Sequence, residues 1–261
     1  MAVYRAEYHI HTYEAEQSGA TSPTALFRFL LDAASSHADS VGYGYRDMQE
    51  RDSAWVLSRF LFEIERYPQW QERVAVETWP SGTERLFALR DYLIQSSSGE
   101  TMARATSSWI IINAETRAPE RPERVAEVMD FVTDAHAIAR SAAKVAAAPT
   151  VDPPYVEIAR YSDIDLNGHV TSSRYLEWLL DGFSTEFRQG HELAGFEINY
   201  LAETLCGDEV AISHAKESAR GEALGSGGLD PPDADASFLH AIERTADGVV
   251  LCRARTRWAA R

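Results

Sequence analysis

Cysteine is nearly absent: only Cys206 and Cys252 occur in 261 residues. Two thiols so spaced form no metal-ligand pattern and read as buried free thiols rather than a disulfide. Lysine is as scarce. Lys144 and Lys216 are the only lysines among 25 basic residues, so arginine carries the positive charge. Against 40 acidic residues the net charge is −15, which argues against nucleic acid or an anionic membrane as the main partner. No apolar run approaches the roughly 18 residues of a membrane-spanning helix. The stretch Met1 to His9 has neither an apolar signal core nor Arg/Ser-rich transit character, so the cytoplasm is the expected location. Also missing are a Gly-x-Ser-x-Gly elbow, a phosphate loop, a dinucleotide fingerprint and a His-Glu-x-x-His pair. Serine-hydrolase, nucleotide and zinc chemistry are thereby disfavoured, and neither cofactor nor metal is expected.

What the chain does have is 45% hydrophobic residues, enough for a core, and a repeat. Phe62-Glu63-Ile64 recurs as Phe196-Glu197-Ile198, 134 residues on. Gly99 to Trp109 recurs as Gly248 to Trp258, 149 residues on, with Gly, Arg, Ala and Trp retained. The growing offset puts an insertion near Gly221 to Asp235, a Gly/Pro/Asp-rich stretch that reads as an exposed loop.

Each half follows the same plan. In the first, a strand spans Arg5 to Tyr13 and a helix Thr24 to Ser40, entered through Ser22-Pro23. Leu26, Phe29, Leu30 and Ala33 form that helix's apolar stripe. Strands follow at Trp55 to Glu65, Arg73 to Trp79, Phe87 to Gln95 and Thr101 to Ile112, with Trp79-Pro80 read as a strand end. Pro119 to Pro154 is an Ala-rich connector expected to contain helix. The second half has a strand at Tyr155 to Arg160 and one helix from Ser172 to Gln189. Its later strands are Phe196 to Leu201, Glu209 to Lys216, Phe238 to Arg244 and Val249 to Trp258. The predicted class is α+β, with units at 1–121 and 151–261 joined by a linker at 122–150.

The chemistry concentrates in Tyr161-Ser-Asp-Ile-Asp-Leu-Asn-Gly-His-Val170. If that segment is extended, Asp165, Asn167 and His169 share one side. The helix start beyond it supplies N–H groups for a carbonyl oxygen or an anion. Asp163 reads as a brace for the turn. His37 and Glu63 are weak candidates, because their repeat partners lie outside the motif.

This decapeptide resembles the helix-entry motif of hot-dog thioesterases, and of acyl-ACP thioesterases in particular. The likeness extends to Tyr13-Glu14, Ala54-Trp-Val-Leu57, Glu77-Thr-Trp-Pro-Ser-Gly82, Ala88-Leu-Arg-Asp91, Arg174-Tyr-Leu-Glu-Trp178 and Glu197-Ile-Asn-Tyr-Leu-Ala-Glu203. It implies a tandem hot-dog fold, each unit an antiparallel sheet around a central helix. It puts Asp165, Asn167, His169 and Glu203 on catalytic positions. The implied reaction is hydrolysis of fatty acyl-ACP to free fatty acid and acyl carrier protein, by water activated by Glu203 or Asp165.

The chain departs from the plant pattern at Thr204, where many plant members have Cys, which disfavours a cysteine nucleophile. Cys206 would face the same side of an extended strand as Thr204. The lack of a plastid presequence suggests a bacterial-type member. In the first half, Gln17 to Ser22 lacks Asp, Asn and His, so that half is read as the acyl-binding unit, with Leu26, Phe29, Leu30, Leu57 and Phe60 as its apolar candidates. The expected partner is acyl carrier protein bearing a fatty acyl-phosphopantetheine thioester, gripped by arginines, with the enzyme a monomer or homodimer. An acyl-CoA thioesterase, a hot-dog 3-hydroxyacyl-thioester dehydratase and a non-catalytic acyl-binding module remain as alternatives.

Overall fold

Ser22 and Pro23 start the first long helix as the sequence predicts. The Ser22 hydroxyl accepts the Ala25 N–H at 3.1 Å, and Pro23 occupies the first turn, where no N–H is needed. The computed structural model describes residues 2–122, 131–148, 154–217 and 235–261. The chain divides into two compact units, Met1–Ala142 and Ala143–Arg261. Among the described residues no helix is long and apolar enough to cross a membrane.

The N-terminal unit contains β1 (Tyr4–His9), α1 (Pro23–Ser40), α2 (Tyr45–Glu50), β2 (Ser53–Ile64), β3 (Arg73–Glu84), β4 (Phe87–Ser96), β5 (Thr101–Asn113) and the short β6 (Pro119–Glu120). Its antiparallel sheet runs β1-β3-β4-β5-β2, with β6 also on β5. The apolar stripe of α1 packs on that sheet, with Phe27 against Phe60 at 4.6 Å and Phe29 against Tyr8 at 4.5 Å. In the C-terminal unit the elements are β7 (Tyr155–Ile158), α3 (Ser172–Asp181), α4 (Thr185–Gly190), β8 (His191–Tyr200), β9 (Glu209–Lys216), β10 (Ala236–Arg244) and β11 (Val250–Ala260). Their order in the sheet, β7-β9-β10-β11-β8, is that of the first unit. Each unit is a hot-dog: antiparallel strands packed on a helix.

Trp109 and Trp258 lie on equivalent strands and make equivalent bonds. The indole of Trp109 donates to Ser107 Oγ at 2.8 Å, and that of Trp258 donates to Thr256 Oγ1 at 2.9 Å. The Phe-Glu-Ile match, however, is out of register by two. Phe60 faces Ser107 as Phe196 faces Thr256, so Phe60, not Phe62, is the counterpart of Phe196.

Several boundaries differ from expectation. After His9 the first strand gives way to a 3₁₀ turn, Thr12–Glu14. Strand β3 runs through Pro80 to Glu84, because β1 covers only Arg73 to Thr78 and the missing Pro80 N–H leaves no neighbour unpaired. The helix expected over Ser172 to Gln189 is two helices. Gly182 closes α3, and the Ser184 hydroxyl caps α4 by accepting the Phe187 N–H at 3.1 Å. A side chain at Gly182 would strike His214, its Cβ falling 2.0 Å from Nε2. That imidazole is half-buried with its Nε2 enclosed, and it meets His240, Nδ1 to Nδ1, at 2.6 Å.

No helix occurs in the connector over 131–148. Its backbone is held by sheet side chains instead of by itself: the Trp79 indole donates to Ala135 O at 2.9 Å. Further on, Glu197 and Asn199 accept the N–H groups of Ala143 and Val145 at 2.6 and 2.8 Å. Of the predicted Gly221 to Asp235 loop, residues 221–234 lie outside the described residues.

Candidate active site

The decapeptide is a closed loop, not the extended segment expected. It opens with a 3₁₀ turn, Tyr161–Asp163, in which the buried Asp163 carboxylate accepts the Arg160 N–H at 2.8 Å and lies 3.1 Å from Arg174 Nε. Asp163 is therefore the brace that the sequence suggested. Asp165 N–H donates to His169 O at 2.8 Å, Gly168 N–H to Asp165 O at 3.1 Å, and Ile164 bridges Val170. Gly168 has a φ of 81°, a left-handed conformation that a side chain would disfavour. The Asp165 carboxylate faces this turn: Oδ1 accepts the Asn167 N–H at 2.8 Å, with His169 N at 3.5 Å. Asn167 Nδ2 lies 3.5 Å from Asp165 Oδ2.

His169 looks elsewhere. Its Nε2 is 3.0 Å from Glu203 Oε2, with both side chains half-buried. Glu203 lies just beyond β8, and its neighbour Thr204 ties the two segments together. Thr204 O accepts the Val170 N–H at 2.9 Å, while its hydroxyl meets the Tyr175 hydroxyl of α3 at 2.7 Å. Burial pushes the Tyr175 phenol up to about 12 and the Tyr200 phenol well above its usual range, so both remain neutral near pH 7. Tyr200 donates to Ser172 O at 2.8 Å, linking β8 to the start of α3.

Beyond Thr204 the chain turns rather than extends, because Leu205 N–H donates to Asp208 Oδ2 at 2.9 Å. Cys206 sits exposed on that turn, contrary to the buried strand position expected. Cys252 is buried as predicted, and burial raises its pKa far above the usual thiol range. Among the described residues no group of three His, Cys, Asp or Glu side chains is arranged to hold a metal ion.

The N-terminal unit carries the same loop with different side chains. Glu16 N–H donates to Ala20 O at 2.8 Å, Gly19 N–H to Glu16 O at 2.9 Å, Ala15 bridges Thr21, and Gly19 has a φ of 83°. Thr21 N–H donates to Pro68 O at 2.8 Å, as Val170 does to Thr204. By these bonds Glu16 stands at the place of Asp165, Ser18 at Asn167, Ala20 at His169 and Tyr67 at Glu203. A carboxylate therefore persists here at Glu16, one residue ahead of the Gln17 to Ser22 segment that lacks Asp, Asn and His. Elsewhere in this unit His37 is buried, 3.0 Å from the equally buried Arg90, and Glu63 lies 3.9 Å from Arg140.

Similarity to known proteins follows the same two-part division. The family described as acyl-ACP thioesterase N-terminal domain matches residues 1–130, and the acyl-ACP thioesterase C-terminal domain matches residues 156–260. Oleoyl-acyl carrier protein thioesterase 1 of Arabidopsis thaliana is 28% identical over 283 residues, covering 98% of this chain and 75% of that protein. The 12:0-ACP thioesterase of Umbellularia californica superposes with a TM-score of 0.84 at 26% identity, over 100% of this chain and 95% of that one. For an acyl-ACP thioesterase of Bacteroides thetaiotaomicron the TM-score is 0.79 and the identity 28%, covering 98% of each chain. Fold and similarity define a tandem hot-dog protein of the thioester-hydrolase class. Within that class the chain belongs to the acyl-ACP thioesterase family.

Proposed function

We propose that the chain hydrolyses fatty acyl-ACP to free fatty acid and acyl carrier protein by direct attack of water, with Glu203 as general base. The observation that carries this reading is the 3.0 Å contact between His169 Nε2 and Glu203 Oε2. His169 donates its Nε2–H to Glu203 and holds the carboxylate against the attacking water. Asp165 is the weaker candidate for base, because its carboxylate already accepts the loop's own N–H at Asn167. Its role is to shape the turn that presents Asn167 and His169, and the Asn167 amide orients the water or the thioester carbonyl.

As the water oxygen bonds to the carbonyl carbon, its proton passes to Glu203 and negative charge builds on the carbonyl oxygen. The first turn of α3, where N–H groups exceed intrahelical acceptors, receives that charge. The C–S bond then breaks, and the phosphopantetheine thiolate takes the proton back from Glu203. No covalent acyl-enzyme is involved: Thr204 is buried against Tyr175 and Cys206 lies on a turn three residues past Glu203. The N-terminal unit, with Ala20 and Tyr67 at the corresponding positions, holds the acyl chain against α1. Arginines grip the phosphopantetheine phosphate, and the reaction takes place in the cytoplasm.

The test is to incubate the purified protein with acyl-ACP and acyl-CoA of several chain lengths, measuring free thiol and fatty acid. Faster release from acyl-ACP is expected. Cleavage of CoA esters alone would remove the carrier assignment, and no release from either would remove hydrolysis.

A further inference from the structure

Glu203 reaches His169 from a segment that is neither strand nor helix, so its direction depends on what holds its peptide. Arg244, the last residue of β10, does so. Its Nη2 donates to Glu203 O at 2.9 Å and its Nη1 to Asp247 Oδ2 at 2.9 Å. Its Nε lies 3.3 Å from Asp208 Oδ2, though out of line for a hydrogen bond. The arginine backbone is itself fixed, its N–H donating to Val249 O and its carbonyl accepting from Gly248, each at 2.9 Å. One planar fork therefore joins the Glu203 peptide, the Leu205–Asp208 turn and the β10–β11 turn.

The N-terminal unit supplies a natural comparison. Ser96 N–H donates to Glu100 O at 2.9 Å as Arg244 N–H does to Val249 O, so Ser96 holds the place of Arg244. There the turn is braced differently: Glu72, at the place of Asp208, pairs with Arg66 at 3.1 Å. Both units brace this turn with an arginine. In the unit that carries the glutamate, that arginine comes from the end of β10 and bonds the glutamate's own peptide.

We propose that Arg244 is a positioning residue that aims the Glu203 carboxylate at His169 Nε2, an inference that rests on His169 and Glu203 being the reacting pair. The test is a double-mutant cycle on the full chain: Arg244→Met and Arg244→Lys, each alone and combined with Glu203→Gln, with kcat and KM measured on acyl-ACP. In the native background Arg244→Met is expected to lower kcat roughly 10- to 100-fold, with KM changed by less than about twofold. Arg244→Lys should recover part of that loss, and neither should slow the Glu203→Gln enzyme further. Equal loss in both backgrounds, or a raised KM with native kcat, overturns the proposal.

A second readout needs no turnover: the titration of the His169 imidazole, followed by NMR. Removing a positive charge alone would raise its pKa, whereas releasing Glu203 from it lowers the pKa. Arg244→Met is expected to lower it, as Glu203→Gln does, and a rise overturns the proposal. Should the Met variant not fold, the Lys variant carries the same cycle and titration. A fully active Glu203→Gln enzyme would remove the reacting pair itself. A slow Glu203→Gln enzyme with additive Arg244 losses would remove only the positioning role.

Discussion

Replacing His169 or Glu203 with alanine removes one partner of a half-buried pair at the surface of the C-terminal unit. The fold is expected to persist while turnover of acyl-ACP falls about 10²- to 10⁴-fold, the usual contribution of acid–base groups. Steady-state rates beside circular dichroism would check this, and native turnover in His169→Ala would make the pair structural. Cys206→Ala should keep substantial activity, and inactivation there would call for a cysteine route. Thr204→Ala should also turn over, but it strips the buried Tyr175 hydroxyl of its side-chain partner. Its expected cost is about 1–3 kcal/mol of stability, read by urea denaturation. At this scale the sequence is unevenly legible. Asp165, Asn167 and His169 stand out because they crowd into five residues ahead of a helix. Glu203 emerges only through resemblance, since a single glutamate beyond a strand carries no local signal. Tyr175 and Arg244 leave no signal either, because each acts on a segment some thirty or forty residues away.

Among the elements, the break between α3 and α4 gives the clearest test. Gly182 has an ordinary helical φ of −71°, so alanine there would gain about 1 kcal/mol of helix propensity if nothing opposed it. The clash with His214 opposes it, and overpacking of a buried site costs about 1–3 kcal/mol. Gly182→Ala is expected to lower the melting temperature, and a rise would mean that His214 moves aside freely. The same break shows why element boundaries were only partly readable. Helix α1 was legible because its cap and its apolar stripe are local, and β9 begins and ends where its alternation does. The apolar periodicity from Ser172 onward continues through Gly182, whereas the imidazole that excludes a side chain there comes from β9, far along the chain. Over 131–148 the connector departs from the sequence for a related reason, while its residues 123–130 and 149–153 lie outside the described residues. Its alanines favour helix, yet side chains of β3 and β8 satisfy its backbone polar groups in an open conformation.

For the whole molecule, acid should act through the buried imidazoles. Burial depresses His214 to about 4, whereas it titrates near 6.5 when unfolded. Below pH 6.5 the unfolded chain binds a proton that the native state refuses. The stability tied to this group is therefore intact above pH 6.5, declines as the pH falls, and is lost below about 4. The span amounts to about 3 kcal/mol, and urea denaturation from pH 7 to 4.5 should show a shallower decline for His214→Gln. Equal declines would leave the acid response to other groups. The proposed division of labour between the units predicts a separate effect. Leu30 is buried on α1, so Leu30→Trp should shift preference toward shorter acyl chains with some turnover retained. An unchanged chain-length profile in a folded variant would count against acyl binding by that unit.

The twin loops also bear on how such a chain changes over generations. Glu16 to Ala20 keeps the backbone bonds and the left-handed glycine of Asp165 to His169 without the imidazole. The loop closes through its backbone bonds whether or not an imidazole is present. A copy can thus lose or regain chemistry one substitution at a time, with no unfolded ancestor along the way.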